Sequence, residues 1–417
     1  MNAPNSVVVR KYGGTSVGSP DRIRKVARDL VENRSKGFQQ VVVVSAMAQT
    51  TDQLLGLAYQ VARQPRAREL DMLLTTGEQV SSALLAMAVY DLGVSSIALT
   101  GAQCGIRTDK NFSRAKIEAI DTDRLFNHLK DDRIVIVAGF QGVTSEQEIT
   151  TLGRGGSDTT ATAIAAALGG CSCQIFTDVD GVFTADPRIV PEAKLLNWIG
   201  YGEMLEYAAA GSRVLHPRCV EIAAKFHVPL EVRSSFHNES GTRMIGEDDL
   251  EKATIIGVTG DSSVARVAMT LVKDQPGIAA TITESLSEYG INVRLIIQGL
   301  RHDNRSDVSL IIDQVQLEKS VEVLSSLTPG VDATDVKSDA EIAMVAIIGS
   351  GISGTPGVAG RMFRALANEK VNIDLISSSE AKILCIIRQE RLDDAVRAIH
   401  REFELDKLER QPNEGYG

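Results

Sequence analysis

The segment Leu152-Gly153-Arg154-Gly155-Gly156-Ser157-Asp158-Thr159-Thr160-Ala161 holds the densest set of chemically useful residues in the chain. Small residues surround one arginine and one aspartate, and an alanine-rich run from Ala161 to Leu168 follows directly. Ser157 or Asp158 is expected to cap that helix, leaving its first N–H groups and positive dipole end facing the glycine loop. Such a loop suits an anion. Arg154 offers a fork matched to a carboxylate or phosphate, and Asp158 offers a carboxylate to hold a nearby lysine. An ordinary glycine turn capped by aspartate would look the same in isolation, so the other motifs decide.

Four of them point the same way. Lys11-Tyr12-Gly13-Gly14-Thr15-Ser16 follows the first apolar run, with a lysine at its end and two glycines where phosphates can approach backbone N–H groups. No GxxxxGK[ST] segment is present, which excludes a P-loop enzyme. Val44-Ser45-Ala46-Met47 closes the second apolar run, with Thr50 and Thr51 just beyond. Thr76-Gly77-Glu78 falls at a helix start, where a carboxylate neutralises the dipole or holds an ammonium. Thr177-Asp178-Val179-Asp180-Gly181-Val182-Phe183 and Ala185-Asp186-Pro187-Arg188 read as a strand end and a long polar loop. Ligands of open α/β sheets bind at strand C-terminal ends, where all these motifs lie.

The elements that must position them alternate over the first ~245 residues, the pattern of a mainly parallel sheet covered by helices. Val7–Val9, Val41–Ser45, Ile97–Leu99, Ile134–Ala138 and Gln174–Thr177 are expected strands; Arg22–Arg34, Gln79–Leu92, Ser113–Ala119 and Thr159–Leu168 are expected helices. A polar stretch from His237 to Lys252 reads as a connector. Beyond it the chain repeats itself at an offset of 80 residues. Pro276-Gly277-Ile278-Ala279 matches Pro356-Gly357-Val358-Ala359, Leu286 matches Leu366, Asn292-Val293 matches Asn372-Ile373, and Ile296 matches Ile376. Each copy is expected to form a small βαββαβ unit. The whole divides into residues 1–245, a connector and strand at 246–262, and units at 263–338 and 339–417.

Composition narrows the class. A chain of 417 residues holds two or three domains, and a net charge of −10 argues against a nucleic-acid surface. No opening charged segment precedes an apolar one, and no apolar run of ~18 residues stands out, so a cytoplasmic protein without membrane contact is expected. The five cysteines are scattered except for Cys171 and Cys173, and neither they nor His216-Pro217-Arg218-Cys219 make a metal set; reduced structural thiols are expected. Gly349-Ser350-Gly351-Ile352-Ser353-Gly354, with Asp374 downstream, imitates a dinucleotide fingerprint. The first repeat lacks those glycines and too little chain follows to finish a dinucleotide-binding sheet, so the reading is set aside.

The repeat resembles the ACT domain, a small regulatory module that pairs edge to edge and binds amino acids between copies. With it, the KYGGTSV, SAM with Thr-Thr-Asp, TGEQV, GRGGSDTT and TDVDGVFTADPR segments closely resemble the aspartokinases, of the amino-acid kinase fold. The resemblance covers essentially the whole chain. It implies ATP-dependent phosphorylation of the β-carboxylate of L-aspartate to 4-phospho-L-aspartate, entering lysine, threonine, methionine and diaminopimelate synthesis. Another acylphosphate-forming amino-acid kinase, or a catalytically silent amino-acid sensor, are the alternatives; Lys11, Arg154 and Asp158 together argue against the sensor. The resemblance also implies that one ACT unit is inserted in the other, with Ile255–Gly260 lending a strand to the second.

Carried over by motif, Lys11 and Asp158 are the expected catalytic pair, and Ser45, Thr51, Glu78, Arg154, Gly155 and Ser157 the aspartate site. Arg154 would grip the α-carboxylate and Glu78 the α-ammonium. Lys11, Tyr12, Gly13, Gly14, Thr177, Asp178, Phe183, Thr184, Ala185, Asp186, Pro187, Arg188 and Arg213 would hold ATP with Mg²⁺, the ion riding on the nucleotide rather than in a protein cage. An effector, lysine and/or threonine, would sit at Asp274, Gly277, Ile278, Ala279, Asn292 and Gln298 in one copy and at Asn372, Ile373 and Glu380 in the other. ACT pairing implies a homo-oligomer, at least a dimer, with room for a second subunit consisting of the ACT region. Phe183 stands where tyrosine is usual, Arg213 where lysine is usual, and Arg294 and Arg301 lie in stretches often acidic or small.

Overall fold

Valine-rich runs such as Gln39–Val44 and Ile134–Ala138 carry no polar alternation, because helices cover both faces of the sheet they form. The computed structural model describes residues 7–212, 214–246, 254–300, 304–352 and 354–409. In chain order the kinase-like part comprises β1 (Val7–Tyr12), α1 (Pro20–Ser35), β2 (Gln39–Val44), α2 (Thr50–Val61), α3 (Ala67–Leu74), α4 (Thr76–Asp91), β3 (Ser96–Leu99), β4 (Ile106–Thr108) and β5 (Ile117–Ile120). It continues through α5 (Asp123–Lys130), β6 (Ile134–Ala138), β7 (Gln141–Val143), β8 (Ile149–Thr151), α6 (Gly156–Ala167), β9 (Ser172–Thr177), β10 (Trp198–Gly200), α7 (Tyr201–Ala209), α8 (Pro217–Phe226), β11 (Leu230–Ser234) and β12 (Thr242–Ile245).

The main sheet runs β10-β12-β11-β9-β1-β2-β6-β3, and only the β11–β12 pair is antiparallel. Its register decides where chemistry can occur. Tyr12 lies beside Val44 and Phe176, Val44 beside Ala138, and Ser234 beside Thr177, so five strands end along one edge. The loops that leave them begin at Gly13, Ser45, Gly139, Asp178 and Ser235. A second sheet, β5-β4-β7-β8, stands over this edge and delivers the chain into the Gly153–Gly156 loop.

Helix α1 shows how the covering layer forms. Ser19 caps it by accepting the Arg22 N–H, Pro20 occupies the first turn, and Ile23, Val26, Ala27 and Leu30 bury one face. Leu85 and Val89 of α4 join the same core with Val42, Val44, Ile134 and Ile136. By length and composition Ala67–Asp91 is apolar enough to cross a membrane. Here it divides into α3 and α4 and turns Leu85 and Val89 into a protein core.

Beyond residue 253 the chain forms β13 (Thr254–Asp261), β14 (Val264–Lys273), α9 (Ile278–Glu288), β15 (Val293–Leu300), β16 (Arg305–Asp313), α10 (Leu317–Leu327) and β17 (Asp335–Asp339). Then follow β18 (Ile342–Ser350), α11 (Val358–Asn368), β19 (Leu375–Ser378), β20 (Lys382–Arg388) and α12 (Leu392–Glu402). Two four-stranded sheets result, β15-β16-β14-β17 and β13-β18-β20-β19. The fourth strand of the second unit is β13, which precedes the first unit and pairs antiparallel with β18. The first unit is thus an insertion into the second, as the resemblance implied. The Gly349–Gly354 segment leaves a strand of this antiparallel sheet, not a parallel dinucleotide-binding one.

Some expectations are corrected. Ser113–Ala119 is not a helix: Ser113 adopts a left-handed φ of 66° and Ile117–Ile120 is a strand, because the Asp71 carboxylate captures the Ser113 N–H and hydroxyl. The expected connector contains β12, whose Thr242 and Met244 are buried; its residues 247–252 lie outside the described residues. Helices α2, α3, α5, α7 and α8 and the small second sheet lie outside the expected elements.

The two C-terminal units are hydrogen-bonded to the N-terminal part, not merely tethered to it. Thr184 Oγ1 lies 3.0 Å from His400 Nε2 of α12, and the Thr184 carbonyl accepts the Val258 N–H at 2.8 Å. Glu206 of α7 pairs with Lys382 at 2.7 Å. Arg294 of β15 pairs with Asp261 at 2.6 Å and donates to the Ala209 carbonyl at 2.9 Å, joining both units and α7. Arg114 donates to the Gly290 carbonyl beyond α9.

Candidate functional site

Alternation along β1 sends Lys11 and Tyr12 to opposite faces of the sheet. Lys11 turns toward α6, where its Nζ lies 2.6 Å from Asp158 Oδ1, both side chains being mostly buried. The contact is an ion pair, and Asp158 Oδ1 has no hydrogen-bond partner among the described residues. Tyr12 goes the other way. It stacks on Phe176 at 4.7 Å, donates to Asp29 at 2.7 Å, and burial raises its phenol pKa. Its side chain therefore belongs to the α1 core, a correction to its expected place beside ATP.

Neither Ser157 nor Asp158 caps α6. The N-cap is Gly155, left-handed at φ 66°, and both residues lie inside the first turn. A Cβ on Gly155 would stand 2.2 Å from His216 Cβ, so packing and dihedral angle both require glycine there. Starting the helix early leaves its N-terminus without a side-chain cap and frees Asp158 to face Lys11. His216 itself caps α8, which explains the His-Pro-Arg-Cys segment without a metal. All five cysteines are free thiols, and no metal-binding cluster occurs among the described residues.

The glycine pair after β1 behaves unequally. The Gly13 N–H donates to the Phe176 carbonyl at 3.2 Å, extending the ladder with β9, so it is not a free donor for phosphate. A Cβ on Gly14 would come within 2.8 Å of the Ala46 carbonyl, so glycine is needed where the two loops cross. Gly14 thus remains the donor candidate of the two.

Across that crossing stands Glu78, buried in the first turn of α4. Oε1 accepts the Ala46 N–H at 3.1 Å, while Oε2 is buried with no hydrogen-bond partner among the described residues. Desolvation pushes its pKa up to about 7 against the lowering effect of the backbone donors. Ser45 reaches the same place by its carbonyl, which accepts the Ser81 hydroxyl at 2.7 Å. Thr51 sits on the first turn of α2, with Thr50 against Gly77. Arg154 is exposed on its loop, with no ion pair among the described residues. Ser157 is buried beside the end of β6, where a Cβ on Gly139 would stand 2.8 Å from its hydroxyl. Lys11, Glu78, Arg154, Gly155, Ser157 and Asp158 thus gather along the strand-end edge.

The nucleotide candidates split. Thr177 ends β9 and Asp178 follows it, with Thr177 donating to Asp178 at 3.2 Å. Phe183 is half-buried; Pro187 and Arg188 are exposed. Asp186 accepts the Arg188 guanidinium at 2.6 Å, which lowers the Asp186 pKa. Thr184 and Ala185 are buried instead, Thr184 bonded to His400 and Ala185 in the core of the second ACT unit. Their side chains are not available to line an open site, because the loop turns inward against α12. Arg213 and Arg301 lie outside the described residues.

Among effector candidates, Gly277 is the left-handed N-cap of α9 at φ 97°, without a side-chain cap, and Gly357 repeats it for α11 at φ 94°. Asp274, Ala279 and Asn292 are exposed and Ile278 is buried under the helix. Gln298 donates to Ser306 at 3.0 Å. In the second unit Asn372 donates to Asp374 at 3.1 Å, Ile373 packs on the core, and Glu380 is exposed.

Sequence reasoning missed the supporting residues. Ser81 recurs three positions after Glu78 on one helix face, a signal that was present. Gly139, Asp71 and Arg218 gave none, since each acts through a neighbour brought close only by the fold.

A model of the amino acid kinase family matches residues 6–234, and two ACT-domain models match residues 266–328 and 345–403. The aspartokinase of Geobacillus stearothermophilus is 47% identical over 400 residues, 96% of this chain and 97% of its own. That of Mycolicibacterium smegmatis is 45% identical over 406 residues, 96% of each chain. The crystal structure of E. coli aspartokinase III in complex with aspartate and ADP, termed the R-state, superposes with a TM-score of 0.79 at 25% identity, covering 95% of this chain and 99% of that one. The chain therefore belongs to the aspartokinases: an amino acid kinase domain followed by two ACT domains.

Proposed function

We propose that the Lys11–Asp158 edge transfers the γ-phosphoryl group of ATP to the β-carboxylate of L-aspartate, releasing ADP and 4-phospho-L-aspartate. The carrying observation is the ion pair at 2.6 Å beside the uncapped start of α6. The β-carboxylate, with a pKa of about 4, is already an anion near neutral pH, so no general base is needed. What must be supplied is approach of two anions and stabilisation of charge on the transferring group. Lys11 supplies a cation, the Gly14 N–H and the start of α6 supply dipoles, and Asp158 holds the lysine in place. Mg²⁺ bound to the nucleotide phosphates would neutralise part of their charge; the protein contributes no cluster of its own to hold it among the described residues.

Substrate choice follows from two groups. Arg154, exposed and free of ion pairs among the described residues, fits the α-carboxylate as a bidentate fork. Glu78 Oε2, buried and without a hydrogen-bond partner among the described residues, fits the α-ammonium. The loop from Thr177 to Arg188 would receive the nucleotide through Asp178, Phe183, Asp186 and Arg188. The ACT pair would bind lysine and/or threonine at the α9 and α11 starts. E. coli aspartokinase III in complex with lysine and aspartate, termed the T-state, has the same architecture at a TM-score of 0.72. Ile296 and Ile376, equivalent in the repeat, are half-exposed on edge strands β15 and β19, which suits edge-to-edge pairing into at least a dimer.

Lys11→Ala is expected to lower kcat on the order of 10²–10³-fold while the KM for aspartate moves only a few-fold, since the charge acts on the transferring group. Steady-state kinetics on protein of unchanged circular dichroism decide it; a near-normal kcat removes Lys11 from the mechanism.

The raised Glu78 pKa gives a pH signature. Below about 7 the carboxyl is neutral and cannot pair with an ammonium; above it the carboxylate can. Aspartate kcat/KM should therefore rise with pH through about 7 and then level, while the KM for ATP does not follow. Glu78→Gln should flatten that rise as well as weaken aspartate, and an unchanged profile in the variant assigns the titration elsewhere.

Asp274→Ala should weaken inhibition by lysine or threonine and leave uninhibited kcat intact, with coupling in the wild type of about 1–3 kcal/mol. Titrating each amino acid and their mixture against both proteins checks it. Absence of binding to the wild type would leave the ACT pair a dimerisation device.

A further inference from the structure

Asp71 lies on α3, away from the strand-end loops, and is fully buried. Its carboxylate accepts four hydrogen bonds from two segments. Oδ2 takes the N–H groups of Ser113 and Thr151, each at 2.8 Å; Oδ1 takes their hydroxyls, at 3.1 Å and 2.8 Å. Thr151 is the last residue of β8, three residues before Arg154.

The intervening loop is a turn about Arg154, closed by the Gly156 N–H donating to the Gly153 carbonyl at 3.0 Å. Gly153 and Gly155 flank Arg154 at φ 77° and 66°, so the direction in which the turn points is set by what holds its ends. Beyond Arg154, Gly155 is pressed against His216 and α6 begins. Before it, Asp71 grips Thr151 twice, and Arg218 donates to the Leu152 carbonyl at 2.9 Å. Ser113 supplies a wall, its carbonyl standing 3.0 Å from where a Cβ on Gly153 would be. Ser113 keeps its left-handed φ, an uncommon state for a non-glycine residue, while bonded twice to Asp71.

We propose that Asp71 is a positioning residue for aspartate recognition: by joining Ser113 to the end of β8 it sets the direction in which Arg154 presents its guanidinium. This rests on the assignment of Arg154 to the substrate α-carboxylate. A carboxylate buried among four neutral donors is costly where a role in stability alone would be served by apolar packing. Asparagine can keep all four bonds, its oxygen accepting the two N–H groups and its amide donating to the two hydroxyls, whereas alanine removes them all.

The test is a double-mutant cycle on the full chain with aspartate and ATP, measuring both KM values and kcat. Asp71→Ala should raise the KM for aspartate tenfold or more, with the KM for ATP within twofold and kcat within about threefold. In an Arg154→Ala background the same change should add less than twofold, because the arginine it orients is gone. Thr151→Val, which removes only the hydroxyl bond, should raise the aspartate KM by a smaller factor and keeps the test alive if Asp71→Ala does not fold. Equal movement of both KM values, or an Asp71→Ala effect undiminished in the Arg154→Ala background, overturns the proposal and leaves Asp71 purely structural. Arg154→Ala alone leaving the aspartate KM unchanged would instead overturn the Arg154 assignment, and this proposal with it.

Discussion

The ion pair between Lys11 and Asp158 is the constraint on which the rest of the site depends. The lysine at the end of this central strand lies between Val43 and Ile175 and is mostly buried, a place where a cation is costly without an anion beside it. Asp158 is available because α6 starts at Gly155 and not at a side-chain cap. That early start demands left-handed glycine at 153 and 155, and His216 packed where a side chain would otherwise be. One interaction therefore fixes the glycine loop, the helix start and the packing of α8. The same loop is where Arg154 must stand.

Much of this was legible in the residues. The strand-end motifs pointed to one edge, because several polar and glycine-rich segments directly after valine runs converge on the same strand ends. The 80-residue repeat declared the ACT pair. What stayed hidden depended on long-range partners. Ser113–Ala119 reads as helix until the Asp71 carboxylate, 42 residues away in sequence, claims the Ser113 N–H. Tyr12 reads as a phosphate-loop residue until strand alternation places it against Phe176 and Asp29. Thr184 and Ala185 read as nucleotide lining until α12 is brought against them. Local pattern reports the backbone; it does not report which distant group will satisfy it.

Control and catalysis meet through bonded contacts. The second ACT unit touches the loop proposed for the nucleotide through His400 and Thr184, and Arg397 donates to the Ile189 carbonyl at 3.1 Å. The first touches α7 through Arg294 and reaches the Ser113 segment through Arg114. A shift in either unit would therefore change the surroundings of groups proposed to bear on ATP or on aspartate. Coupling of this kind needs only a small differential free energy, since 1.4 kcal/mol is a tenfold change in affinity.

The central claim is that this edge phosphorylates a carboxylate chosen by the ammonium and carboxylate beside it. ATP-dependent acylphosphate formation, trapped as the hydroxamate with hydroxylamine, tests it when L-aspartate, N-acetyl-L-aspartate and succinate are compared as acceptors. Hydroxamate should form with L-aspartate, and at no more than about one hundredth of that rate with the two acceptors that lack a cationic nitrogen for Glu78, given ~3 kcal/mol for a buried charge left unpaired. Comparable turnover of N-acetyl-L-aspartate, or no hydroxamate from L-aspartate, would contradict the account.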